Sequence, residues 1–268
     1  VRGAGQFQLG PEFGGAVQRP RISDSVAAEV ADVDGVAAAE GYLQGFARPI
    51  GPDGVPYGNP TFGFPTIGTN WGVVDELNPF DIVEGRSPEG PDEIAFDKRT
   101  MDETGYRVGD IASVQTASGV SSAQIVGVAR FGSSDSPGGA AITLFDNDTA
   151  QMLLAGPGEV DQVSIVAEPG VSPARARDAV AEALSGLDLE VVTGADLIDE
   201  SQDTAQASFA GVRTFLLVFA LISVLVGTFV IYTSFSFIVA QRQRQVALLR
   251  AIGAGRGQVL TSVVLESL

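Results

Sequence analysis

The hydrophobic pattern changes character once along this chain. Residues 214–241, TFLLVFALISVLVGTFVIYTSFSFIVAQ, run for 28 residues without a charge between Arg213 and Arg242. About 20 apolar residues, rising 1.5 Å each, cross the ~30 Å hydrocarbon core of a bilayer. The run therefore predicts a transmembrane helix with length to spare. The competing reading, a core helix of a soluble protein, calls for a shorter run with polar residues on one face. Ser223, Thr228, Thr233, Ser234 and Ser236 are compatible with a span, because small hydroxyls bond back to their own helix or to a neighbour. With Gly227 they predict packing against other helices.

Upstream, the periodicities are those of short soluble elements. Ser23 reads as the cap of a helix over residues 24–31, with Val26 and Val30 on one face. Residues 36–49 read as a strand, and residues 50–78, dense in Pro and Gly, as a long loop. Its aromatics Tyr57, Phe62, Phe64 and Trp71 serve either to pack that loop onto the domain or as a ligand surface, and packing is the more economical reading. Residues 93–97 predict a strand, 98–104 a helical turn, and 111–116 with 121–128 a hairpin, together a small β module inserted at about 81–131. Beyond a Gly/Ser/Pro break at 132–139, strands over 140–145, 160–167 and 189–193 alternate with two helices. Asp148 with Gln151 predicts a capping-box variant for the first helix, and Ser172 with Pro173 the start of the second.

The predicted fold class is thus an α+β extracytoplasmic domain, a βαβ-type sandwich with an inserted small β subdomain. A transmembrane α-helix and a cytoplasmic amphipathic helix follow it. The boundaries are 1–194 for the domain, 195–213 for a stalk helix, 214–241 for the span and 242–268 for a cytoplasmic coupling segment leading to a further span.

Charge supplies the orientation. Arg242, Arg244, Arg250 and Arg256 follow the span, against a single acid, Glu266, whereas Arg213 is the only basic residue in the twenty before Phe215. Basic residues near the membrane stay cytoplasmic, which puts the C-terminal tail inside and residues 1–213 outside. Those 213 residues carry 12 basic against 32 acidic side chains, which disfavours nucleic acid as a partner. Val1 is not Met and the chain stops in a hydrophobic run at Val263, Val264, Leu265 and Leu268, so it reads as a fragment with an exporting segment expected upstream.

Candidate chemistry is sparse. There is no Cys and no His, and one Lys, Lys98, which follows Asp97 rather than a Gly. These counts remove thiol nucleophiles, zinc sites built on His or Cys, His-based triads and a Walker A loop. Carboxylate pairs such as Asp92/Glu93 and Asp102/Glu103 read as solvated surface, and Asp32-Val-Asp34-Gly35 as a turn rather than a calcium loop. The tail is richer. Val246, Leu249 and Ile252 share one helical face, Val259, Leu260, Val263 and Val264 make a second stripe, and a Gly-rich joint at 253–257 separates them. Such a basic amphipathic segment either lies on anionic lipid or seats its stripe in a groove of a cytoplasmic partner.

Two sets of residues resemble a known family. Arg244-Gln-Val-Ala-Leu-Leu-Arg-Ala-Ile-Gly-Ala254, with Gln258-Val-Leu and Leu265-Glu266, resembles the signature after the second transmembrane helix of MacB/FtsX-type ABC transporter permeases. Gly105 to Asp110 (GYRVGD), Ile125-Val-Gly-Val-Ala129 and the stretch from Asp161 to Arg175 are similar to the MacB-like extracytoplasmic core domain. Gln245 departs from the pattern, which usually has Glu there. The resemblance implies a non-catalytic permease subunit with four spans, of which this chain holds the first external domain, the second span and the coupling region. It implies a separate ABC ATPase subunit that binds ATP and Mg, with no cofactor in this chain, and a second permease copy or homologue as dimer partner. The residues implied to meet the ATPase are Arg244, Gln245, Leu248, Leu249, Arg250, Ala251, Ile252, Gly253 and Ala254. The reading from a different class is a single-span receptor with a ligand-binding ectodomain.

Overall fold

The structure is a computed structural model that describes residues 1–5, 7–8, 17–58, 65–136, 138–251, 253, 255, 257 and 261. For residues 7, 8, 17, 18, 203–212, 249 and 250 it describes the backbone alone. The chain divides into two compact units, Val1–Asp196 and Leu197–Leu268.

In the first unit the principal strands are β1 (Arg2–Gly3), β2 (Val36–Tyr42), β3 (Gln44–Ile50), β4 (Thr66–Asn70), β5 (Phe80–Gly85), β6 (Glu93–Asp97), β7 (Ile111–Thr116), β8 (Gly119–Phe131), β9 (Ala141–Phe145), β10 (Gln162–Ala167) and β11 (Leu189–Glu190). Helices α1 (Ser25–Ala31), α2 (Lys98–Thr104), α3 (Asn147–Leu154) and α4 (Pro173–Ala183) lie between them. A small sheet has the order β11-β1-β10-β2. A larger one runs β7-β3-β4-β9-β6-β8-β5, and because β7 also pairs with β8, six of its strands close into a ring.

The thirteen-residue β8 makes that closure possible. Its first half, from Gly119 to Gln124, pairs antiparallel with β7. Its second half lies parallel to β6 on one side and antiparallel to β5 on the other. Gly127 sits where β5 passes closest: a Cβ there would stand 2.1 Å from the carbonyl oxygen of Arg86, so only glycine fits.

Both β6 and β9 are buried on both faces, which explains the consecutive apolar residues Ile94-Ala95-Phe96 and Leu144-Phe145 within them. One face contributes Ile94, Phe96 and Phe145 to a cluster shared with Val114 and Ile125, and the other contributes Ala95, Ile142 and Leu144 to a second cluster with Phe80 and Ala129. Helices α1 and α4 bury Val30 and Val180 in the first cluster, alongside Val163 of β10.

Several sequence expectations need correction. The strand expected over residues 36–49 is two strands that enter different sheets, broken at buried Leu43, whose N–H donates to Asn70 Oδ1 at 2.8 Å. The expected loop over 50–78 contains β4, and β9 joins the ring instead of forming a βαβ series with β10. The hairpin β7–β8 forms, but as part of the same ring as β3, β4 and β9. Helix α3 is capped by Asp146, not Asp148: Asp146 is extended at the end of β9 and its Oδ1 accepts from Thr149 N at 3.2 Å. Gln151 instead reaches Asp24 and Gly158. Ser172 caps α4 with Pro173 in the first turn, as the sequence predicts. Among the loop aromatics, Trp71 packs against the second cluster and Tyr57 donates to Glu103 Oε2, while Phe62 and Phe64 lie outside the described residues.

One buried charge couples these layers. Asp97, fully buried, caps α2 by accepting from Thr100 N, accepts from Thr100 Oγ1, and takes the Ile142 N–H of β9 at 2.8 Å. Burial outweighs those three donors and pushes its carboxyl up to about 6. The folded state therefore holds the Asp97 proton more tightly than the unfolded chain, where aspartate titrates near ~4. That contribution to stability is complete below about pH 4 and is lost as pH rises through about 6, on the order of 3 kcal/mol in all. Denaturation of the wild type and Asp97→Asn across that window is expected to show a stability difference that shifts in favour of the variant as pH rises. A difference independent of pH would contradict the assignment.

Candidate functional site

The second unit is dominated by helix α5 (Gly194–Ala251), a 58-residue element whose first turn belongs to the first unit. Its start follows from local chemistry. Asp196 Oδ2 accepts from Thr193 N at 3.0 Å and Thr193 Oγ1 at 2.8 Å, while Asp196 N donates back to Thr193 Oγ1 at 3.2 Å. This is a capping box, and its hydrogen bonds hold the Asp196 carboxyl below the usual carboxylate range.

Over Arg213–Leu248 the helix is 36 residues long, and its most apolar 18-residue window has a mean hydropathy of 2.7 and is not buried in the chain. At 1.5 Å per residue that stretch is ~54 Å long, well beyond a hydrocarbon core. Phe215, Leu225, Phe229 and Phe235 are each roughly two-thirds exposed, a state that water penalises strongly and lipid does not. Three of the span's hydroxyls are provided for internally: Ser223, Thr228 and Thr233 donate to the carbonyls of Phe219, Val224 and Phe229 at 2.7–2.8 Å. A helix that satisfies its own backbone meets the main requirement for crossing a bilayer.

The predicted coupling residues fall at the end of α5. Arg244, Gln245 and Leu248 are exposed on its last turns, Leu249 and Arg250 are helical, and Ala251 is the final helical residue and exposed. Gly253 has φ 99°, the left-handed backbone that ends helices at glycine. Ile252 and Ala254 lie outside the described residues, as do Val259, Leu260, Val263 and Val264 of the second stripe. Downstream, Gly257 and Thr261 are helical, and Thr261 Oγ1 donates to the Gly257 carbonyl at 2.9 Å. Arg244, Leu248 and Ala251 stand at i, i+4 and i+7, so the structure aligns them on one exposed face.

The first unit holds a feature that the sequence reading passed over. A cleft of about 920 Å³ is lined by Arg2, Arg19, Arg21, Tyr42, Thr66 and Asp161, among others. The signal was available in Arg19-Pro-Arg21, a basic pair in a strongly acidic region. Three of the four carboxylates singled out as surface are engaged in ion pairs: Asp102 with Lys98, Glu103 with Arg99, and Glu93 with Arg86. Asp32 and Asp34 lie in the turn between α1 and β2.

Comparison with known proteins agrees with this division. The MacB-like periplasmic core domain matches residues 3–183, and the FtsX-like permease C-terminal domain matches residues 217–268. An uncharacterized ABC transporter permease protein of Mycobacterium tuberculosis is 25% identical over 179 residues, which is 66% of this chain and 20% of that protein. The chain thus spans about a fifth of the length of that relative. The first unit's fold is similar to the crystal structure of the periplasmic region of MacB from Actinobacillus actinomycetemcomitans. That match has a TM-score of 0.53 and 11% identity, and covers 75% of this chain and 90% of the other. With a MacB-like core domain across two-thirds of its length and an FtsX-like segment joined to one long apolar helix, the chain belongs to the MacB/FtsX-type ABC transporter permeases, a family of membrane proteins.

Proposed function

We propose that this chain is the part of a permease that couples ATP hydrolysis in a separate ATPase subunit to movement of an extracytoplasmic domain. The observation that carries the proposal is the end of α5, where an exposed apolar helix passes directly into an exposed basic and apolar face, Arg244, Leu248 and Ala251, and ends at Ala251, shortly before the left-handed Gly253. A helix of this kind transmits displacement along its axis, because its hydrogen-bonded backbone resists axial compression. Nucleotide-driven closure of the ATPase would push on residues 244–254, and α5 would carry that push through the bilayer.

In this reading the first unit lies outside the cytoplasm and the tail lies inside, an orientation supported by the arginines that follow the span. The permease works as a dimer with a second copy or homologue, in contact with lipid along residues 214–241. ATP and Mg belong to the ATPase, so this chain performs no chemistry of its own. The output is mechanical, and export, lipoprotein handling and activation of a cell-wall hydrolase are all compatible with it. The test is affinity purification of the intact permease from membranes in mild detergent. Recovery of an ABC ATPase with it is expected, and membranes that yield the permease alone under conditions preserving other transporter complexes would overturn the coupling role.

A further inference from the structure

A different cleft of the first unit, of about 540 Å³, is walled by α2 and by the paired strands β5 and β8. Helix α2 contributes Lys98, Met101 and Asp102, at the i, i+3 and i+4 positions of one helical face. Strand β8 contributes Val128 and Arg130, which alternation puts on one face of the sheet. On β5 the neighbours Val83 and Glu84 both line the cleft, which a regular strand does not allow. The pairing with β8 shifts register at that point: Glu84 stands opposite Val128 and Ile82 opposite Ala129, so Val83 is the extra residue of a β-bulge. Bulges re-aim side chains, and this one brings two successive residues to one wall.

The lining combines an aliphatic surface with unused donors. Met101 and Val128 are buried, and Val83 beside them is 48% exposed. Tyr106 adds a wall held in place by its hydroxyl, which donates to the Ile50 carbonyl at 2.8 Å. Three cations, Lys98, Arg107 and Arg130, face two acids, Glu84 and Asp102, although residues 1–213 as a whole carry 12 basic against 32 acidic side chains. Lys98 Nζ meets one carboxylate, Asp102, at 2.8 and 2.9 Å, which engages at most two of its three donors. Arg130 Nε is buried and stands 2.7 Å from Asp135 Oδ1, yet its N–H makes no hydrogen bond among the described residues. The exposed Arg107 guanidinium has neither hydrogen bond nor ion pair among the described residues.

We propose that this cleft binds a small organic monocarboxylate with a short aliphatic body. The carboxylate pairs with the two-pronged guanidinium of Arg107, with Lys98 and Arg130 beside it, and the aliphatic part rests on Val83, Met101 and Val128. One negative charge balances the single excess positive charge of the lining, whereas a doubly charged phosphate exceeds it. The volume falls in the range of small-molecule sites, about 300–1,000 Å³. The acidic surroundings repel anions elsewhere, so attraction is confined to the cleft and weakens with added salt. The cleft is separate from the ATPase-coupling segment, and its occupancy does not depend on the coupling proposal.

The experiment uses the full chain in nanodiscs of zwitterionic phosphatidylcholine, with N-trifluoroacetyl-leucine as the probe and its line broadening followed by fluorine NMR at low ionic strength. Saturable binding is expected, with the leucine amide at least tenfold weaker and N-trifluoroacetyl-glycine, which lacks the aliphatic body, at least fivefold weaker. Arg107→Gln should weaken binding at least fivefold; the side chain is exposed and unpaired among the described residues, so the fold is not at stake. Arg175→Gln, at an exposed arginine outside the cleft, should leave binding unchanged. Asp102→Asn should tighten it severalfold by releasing Lys98, a gain that misfolding cannot produce. Absence of saturable binding, equal binding of acid and amide, or equal losses in Arg107→Gln and Arg175→Gln would overturn the proposal. A hexapeptide ending in a free leucine that binds tenfold tighter than the probe would also overturn it, assigning the cleft to a protein C-terminus.

Discussion

Replacing Leu248 by glutamate should cut recovery of the ATPase subunit with the permease at least tenfold while leaving the protein in the membrane. Leu248 is 67% exposed, so the substitution removes no packing within its own chain. It lies outside the uncharged run 214–241, so the new carboxylate does not enter the hydrocarbon core. Burial of a leucine in a partner's groove contributes about 1.5–3 kcal/mol, and a glutamate in its place adds a desolvation cost. Each 1.4 kcal/mol is a factor of ten in affinity, so tenfold is the conservative expectation. Leu249→Glu should act in the same direction. Gln243→Glu is the control, since residue 243 lies about 140° around the helix from residue 248 at 100° per residue. Pull-down by Leu248→Glu at the wild-type level would remove this face from the coupling interface.

The second large effect is on the fold. Phe96→Ala should cost about 3–5 kcal/mol, because it removes a ring that is fully buried in the first cluster, on one face of a strand covered on both. Phe96 shares its cluster with Ile94, Ile125 and Phe145, and its ring lies 6.3 Å from that of Tyr106. Against a typical total of about 5–15 kcal/mol, that loss is a large fraction of the stability. The single tryptophan, Trp71, packs on the adjacent cluster and reports unfolding by fluorescence. Val120→Ala, at a side chain 63% exposed, should change stability by less than about 0.5 kcal/mol. Equal denaturation midpoints for the two variants would mean that Phe96 is not at the centre of the core.

The legible parts of this chain are those whose physics is local. The apolar run of α5 needs no tertiary partner to be recognised, and the mixed α/β character of the first unit shows in short strands and capped helices such as Ser172-Pro173. The ring was illegible because its closure is non-local and its least hydrophobic strand is buried. Thr66, Gly68, Thr69 and Asn70 make β4 look like a loop, yet a Cβ on Gly68 would stand 2.7 Å from that of Ala47 and 2.8 Å from Leu154 Cδ2. Small polar residues are present there because there is no room for larger ones, and no hydrophobic period marks the strand. Likewise, nothing in the sequence around Leu43 announces that β2 and β3 part into different sheets, since the break is stabilised by Asn70, 27 residues away. The arginine cleft escaped notice for a related reason: Arg2, Arg19 and Glu190 are distant in sequence and meet only when β1 and β11 pair.

The coupling account rests on a helix that crosses the bilayer between an outer acidic domain and an inner basic segment. The absence of cysteine allows direct labelling, with one cysteine introduced at exposed Ser133 or at exposed Gln243. In intact cells, a membrane-impermeant maleimide should modify Ser133→Cys at once and Gln243→Cys only after permeabilisation. Modification of both positions from the same side of the sealed membrane would contradict the account.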